Sequence, residues 1–163
     1  MAAKVVNERE VLRQLATIKE RIDKVMFRTL SFVGEKAVNK SRDTKSRPNN
    51  WTDQTGNLRS SIGYVVVNNG SVVKPSSFAQ VGGGAEGASN GLAYATSLAA
   101  QHPQNWCLIV VAGMEYASYV ESRRDVIDCA KVEAKAALEA RLAKLSQSMD
   151  VELYDNYIKQ IFS

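Results

Sequence analysis

From Val11 to Val33, apolar side chains and one threonine recur at Val11, Leu15, Ile18, Ile22, Val25, Thr29 and Val33, in steps of four and three. Only an α-helix returns a side chain to the same face at that interval. The seam therefore predicts one long helix over the first forty residues, about 50 Å long if it reaches Lys40 unbroken. Asn7 is suited to cap it, with Glu10 three places on. Arg9, Arg13, Glu20, Asp23 and Lys24 fall on the other side and are expected to be solvated. Gly34 is a point of weakness, since glycine costs about 1 kcal/mol against alanine inside a helix. A stripe of this length has to be covered, either by the rest of the chain or by another molecule.

The composition changes abruptly at Asn39. The run Asn39 to Asn50 is polar and basic and ends in Pro48-Asn49-Asn50, which reads as a loop. Beyond it, Ile62-Gly63-Tyr64-Val65-Val66-Val67 is β-branched and aromatic, and Asn68-Asn69-Gly70 is a turn signal before Ser71-Val72-Val73. The pair predicts a hairpin. Trp106 to Ala112 is a third strand, and its unbroken apolar character predicts burial on both faces. The glycine-rich stretch from Val81 to Gly91 reads as a mobile loop feeding a short helix at Leu92 to Gln101. A turn or short helix begins at Tyr116. A long helix with Ile127, Ala130, Ala134, Ala137, Leu138, Leu142 and Leu145 on one face follows, and Asp150 is placed to cap a terminal helix.

Helix, then strands, then helices is the order of an α+β domain. The expected fold has a long N-terminal helix, a small, mostly antiparallel sheet of about three to four strands, and C-terminal helices packed on it. The 163 residues suit a single domain. It divides into a long helix (1–40), a basic loop (41–54), a sheet with a glycine-rich insert (55–113) and C-terminal helices (114–163). No stretch approaches the roughly 18 apolar residues of a membrane span, so no membrane partner is expected and the chain reads as cytosolic until assembled. Cys107 and Cys129 have no metal-ligand spacing and read as buried free thiols.

Recognisable catalytic chemistry is scarce. Gly82-Gly83-Gly84-Ala85-Glu86-Gly87 matches a dinucleotide-binding GxGxxG, but consecutive glycines satisfy that spacing cheaply, and Glu86 would repel a pyrophosphate. His102, the one histidine, lies in a turn, where no nucleophile partner or multi-histidine site is in view. The carboxylates Glu115, Glu121, Asp125 and Asp128 are interleaved with Arg123 and Arg124, a pattern of surface ion pairs. Neither an enzyme nor a cofactor is expected. The net charge of +4 is too small to signal a nucleic-acid binder by itself. Lys40, Arg42, Lys45 and Arg47, with Trp51 beside them, are nevertheless the residues that would face DNA, four cations and one stacking ring.

Two segments say more: Thr55-Gly56-Asn57-Leu58-Arg59-Ser60-Ser61-Ile62 and, some fifty residues on, Gly113-Met114-Glu115-Tyr116-Ala117-Ser118-Tyr119-Val120-Glu121. Together they resemble the minor tail component family of long-tailed bacteriophages and prophages, also described as tail-completion or head–tail joining proteins. The resembling residues are Thr55, Gly56, Leu58, Arg59, Ile62, Gly113, Tyr116, Ala117, Tyr119, Val120 and Glu121. Arg123-Arg124 stand where members often carry glycine. Read as architecture, Thr55 or Asp53 caps a turn at Gly56, Leu58 and Ile62 enter the core, and Arg59 points outward. Tyr116, Tyr119 and Val120 pack on the sheet, and Glu121 is placed to meet a cation such as Arg59. The resemblance implies a structural virion protein of the phage neck or tail end, found in the host cytoplasm during assembly. Its partners would be itself (as a homo-oligomer or ring), other neck or tail proteins and, non-specifically, DNA. The other reading is a basic nucleic-acid-associated protein that uses the 40–51 loop.

Overall fold

A computed structural model describes residues 8–43 and 51–162; for Cys129 and 148–162 it describes the backbone alone. Helix α1 (Glu8–Arg42) leads through the short α2 (Asn57–Ser61) into strand β1 (Ile62–Asn68) and strand β2 (Ser71–Pro75). Helix α3 (Ala85–Ala99), strand β3 (Trp106–Ala112), helix α4 (Ala117–Arg123) and helix α5 (Asp128–Phe162) complete the chain. The fold is α+β, as expected. Asn7, the expected cap of α1, lies outside the described residues.

The sheet is antiparallel with order β2-β1-β3. Asn69 and Gly70 turn the hairpin with φ of 49° and 77°, the two positive values that suit a two-residue turn between right-twisted strands. β1 is therefore the central strand, and Ile62, Tyr64, Val65, Val66 and Val67 are all fully buried. The expectation of two-sided burial for Trp106 to Ala112 is corrected. β3 lies at an edge, with only Ile109 and Val111 buried, while its remaining side chains are half-buried.

Alternation along β1 sorts the core into two layers. Tyr64 and Val66 face α1, where Leu30, Val38, Trp51, Leu58, Ala117 and Val126 join them. Val65 and Val67 face α3, with Phe78, Ala95, Ala99, Ile109 and Val111. α1 runs unbroken through Gly34, whose missing side chain leaves room for the Tyr64 ring directly beneath the helix. The Tyr64 hydroxyl donates to Glu35 at 2.8 Å. Burial, and then this carboxylate, raises the pKa of the phenol.

Three further expectations change. The glycine-rich stretch is a helix from Ala85 onward and not a mobile loop. Residues 146–150 contain no glycine or proline, so α5 continues through Asp150 instead of restarting there. Asp23 is not on a free face. It accepts from the Trp106 indole at 3.1 Å and from Lys19 at 2.7 Å, tying α1 to β3.

Phe78 is the residue on which the α3 layer closes. It sits at φ 39°, in the left-handed region that side chains rarely adopt, and is 5% exposed. Its ring covers Gly63 of β1 and Gly91 of α3, where any added Cβ would collide with it. Phe78→Ala should lower stability by about 3–5 kcal/mol, because two glycines cannot refill the space. A denaturant titration showing a loss below about 1 kcal/mol would remove Phe78 from this role.

Candidate functional site

The two motif segments and the glycine-rich helix meet in one joint. Gly56 turns the chain into α2 with φ 82°, and Asp53 Oδ1 accepts from its amide at 3.0 Å. Thr55 Oγ1 accepts from the Asn57 amide at 3.3 Å, so both expected caps are in use. Leu58 and Ile62, at 4% and 0% exposure, enter the α1-side core as expected. Ser60 and Ser61 are completely buried beside them. Ser60 Oγ accepts from the Val81 amide at 2.9 Å, and Ser61 Oγ donates to the Leu58 carbonyl at 2.8 Å.

Against α2 lies a helix face made of glycine. Gly84, Gly87 and Gly91 follow the i, i+3, i+7 spacing that stacks residues on one side of a helix. A Cβ on Gly84 would strike Ser60 and the Gly56 backbone, and one on Gly87 would strike the Asn57 backbone. A Cβ on Gly91 would strike the Ser61 carbonyl. Gly113 completes the contact: its amide donates to the Ser61 carbonyl at 3.2 Å, and its Cα leaves no room for a side chain against Gly91. The Asn57 side chain stitches the two helices, accepting from the Gly87 amide at 3.3 Å and donating to Glu86 at 3.2 Å. A search for phosphate-binding spacing reads these glycines with the wrong template. Reading them at helical spacing would have found the packed face.

Arg59 does not point into solvent. Its guanidinium donates twice to the Arg42 carbonyl, at 3.1 and 2.8 Å, capping the C-terminal end of α1. Arg42 in turn donates twice to the Ile62 carbonyl, at 3.1 and 2.7 Å. Burial, and then the neighbouring Arg59 charge, lowers the pKa of Arg42. Arg42 is therefore committed to the fold rather than displayed on a loop, and α1 extends to it because these two arginines close its last turn. Trp51, the expected stacking ring, is 3% exposed in the core and cannot reach a base. Lys40 is half-buried near the end of α1. Lys45 and Arg47 lie outside the described residues.

In the second motif, Val120 packs against the same core cluster, as expected, and Ala117 is buried in it. Tyr116 and Tyr119 do not pack there; they are 43% and 58% exposed, because Ala117 and Val120 take the inward side of α4. The Arg123 guanidinium stacks over the Tyr119 ring at 4.4 Å. Glu121 does not meet Arg59. Its carboxylate accepts from the amides of Val126, Ile127 and Asp128 at 2.9, 2.8 and 3.1 Å, which caps the start of α5. Helix α4 ends at Arg123, with Arg124 in extended geometry. The motif residues are thus hinges and caps that orient the helices about β1. Among the described residues, no three His, Cys, Asp or Glu side chains converge as a metal site, and no helix is long and apolar enough to cross a membrane. Cys107 is a half-buried free thiol whose pKa burial raises.

Two variants test the joint. Alanine in place of an exposed helical glycine stabilises by about 1 kcal/mol, whereas Gly87→Ala should destabilise by about 1–3 kcal/mol through overpacking. A gain in melting temperature would mean the helices are not in contact there. Arg59→Ala should cost about 1.5–3 kcal/mol, the worth of hydrogen bonds from a charged donor, with hydrogen exchange accelerating first at the end of α1. An unchanged exchange pattern would show that the cap is not formed. No protein-family model, curated protein or solved structure matches the chain.

Proposed function

We propose that this chain is a structural assembly protein of a tailed bacteriophage or prophage, a subunit of the neck or tail end that joins or completes the tail. The observation that carries this reading is the divided character of α1. From Thr29 onward its inward side is buried between the sheet and α5. Toward the N-terminus the same seam lies open: Val11, Leu12, Leu15, Ile18 and Ile22 are 39%, 58%, 55%, 46% and 43% exposed. An apolar stripe left open along one side of a helix is a surface for joining protein to protein. The resembling segments support the same view, since their residues set the angles between helices, which is what a subunit needs to present such a helix in fixed geometry.

Copies joined through this seam would meet heterologously, as in a ring around a DNA channel. DNA contact would then be secondary and non-specific. The purified chain should form oligomers by light scattering, and Leu15→Lys with Ile18→Lys should reduce them to monomers of unchanged helical content. A strictly monomeric wild-type chain at high concentration would remove the seam as a contact between copies. Deleting the coding sequence from the phage or prophage that carries it should leave heads and tails unjoined, or tails incomplete, in electron micrographs. Normal titres of infectious particles would overturn the proposal.

A further inference from the structure

The two edges of the sheet are built differently. The outer edge is set on one side by β2, Ser71-Val72-Val73-Lys74-Pro75, which is short, carries a lysine and a proline, and shifts register against β1 between Val66 and Val67. Charge, proline and irregularity are the features that stop an edge from accepting another strand. β3, Trp106-Cys107-Leu108-Ile109-Val110-Val111-Ala112, has none of them: it is regular over seven residues, uncharged and free of proline.

The register states which of its backbone groups are free. Gly113 donates to the Ser61 carbonyl and Asn69 donates to the Asn105 carbonyl, so these opposed residues are hydrogen-bonded pairs. Pairs of this kind alternate along an antiparallel ladder. Cys107, Ile109 and Val111 therefore point their N–H and C=O groups at β1, and Trp106, Leu108, Val110 and Ala112 point theirs outward. Among the described residues these outward groups have no protein partner.

The free edge lines a groove of about 280 Å³. On the β2-distant side of the sheet, Tyr94 and Leu98 of α3 form one wall, beside Val111. Ala117, Ser118 and Glu121 of α4, with Ile127 and Asp128 at the start of α5, form the other, beside Val110 and Ala112. Residues of α3 thus stand on one side of the edge and residues of α4 and α5 on the other. The extended stretch of this chain between β2 and α3 is already committed, since Phe78 is buried and the Val81 amide is bonded to Ser60.

We propose that the β3 edge receives one extended segment of another protein by strand addition, with apolar side chains toward Tyr94 and Leu98 and basic ones toward Asp128 and Glu121. Alternation within a strand sends successive side chains to opposite walls, which matches one apolar wall and one acidic wall. Glu121 caps α5 and still presents its negative charge to that wall. This inference rests on the sheet edge alone and holds whether or not the chain serves in a virion.

The probe is a seven-residue peptide alternating valine and lysine, compared with its valine–glutamate counterpart. On binding, amide exchange should slow at Trp106, Leu108, Val110 and Ala112, leaving Cys107, Ile109 and Val111 as they were. Val110→Pro removes one outward N–H at a position where an edge strand tolerates proline, and should weaken binding roughly tenfold while circular dichroism stays unchanged. Should that variant fail to fold, Asp128→Asn serves instead and should weaken only the lysine peptide. No protection of the four amides at millimolar peptide would overturn the proposal, as would equal binding of the lysine and glutamate peptides. Concentration-dependent protection of the same four amides without peptide would also overturn it, in favour of pairing between copies of this chain.

Discussion

The contact on which the rest of the molecule depends is backbone against backbone, where α3 lies on α2 with only glycine between them. Gly84, Gly87 and Gly91 bring one helix within reach of the carbonyls of another. Gly113 then places the end of β3 on the same spot. Approach this close fixes rotation as well as distance, because turning α3 by one residue would present Ala85 or Ala88 and lift the helix away. With α3 held, Ala95 and Ala99 meet Val65 and Val67, Phe78 closes over Gly63, and the lower half of the core follows. The helix loses propensity at two interior positions, Gly87 and Gly91, to gain this contact, roughly 1 kcal/mol each.

The opposite layer is held by polar groups that close helix ends. Arg59 caps α1 and Glu121 caps α5, each satisfying backbone groups that a helix end would otherwise leave unpaired. Both act across a bend in the chain, so each fixes an angle between two elements. The same residue types on a free surface would contribute little, since exposed ion pairs such as Lys24 with Glu20 are worth only about 0–1 kcal/mol.

Much of this was legible in the sequence. The period of the seam gave α1, Asn69-Gly70 gave the hairpin, and the spacing of Leu58 and Ile62 gave their burial. What could not be read follows from tertiary context. A run of glycines is compatible with a mobile loop or with a packed helix face, and only the partner decides. An apolar strand such as Trp106 to Ala112 reads as central, but β1 took the centre because Tyr64 and the valines around it fill both layers. Arg59 and Glu121 are charged and look solvated until the carbonyl and amides they serve are known. Arg42 and Trp51 belonged by composition to a basic loop, whereas the end of α1 and the core claimed them. Phe78 carries no local signal, because its strained backbone is stabilised by two glycines distant in sequence.

The guarded character of β2 has a consequence for stoichiometry. A sheet open at both edges can hand on what it accepts, each added strand exposing a new edge to the next molecule, and such growth has no natural end. Here Lys74, Pro75 and the register shift at Val66–Val67 close one side. The sheet can lengthen in one direction only, and an incoming strand walled by α3 and α4 would present its far edge to the mouth of the groove instead of to another sheet. Whatever occupies that place would do so once per subunit, making the protein countable in an assembly rather than prone to fibre growth.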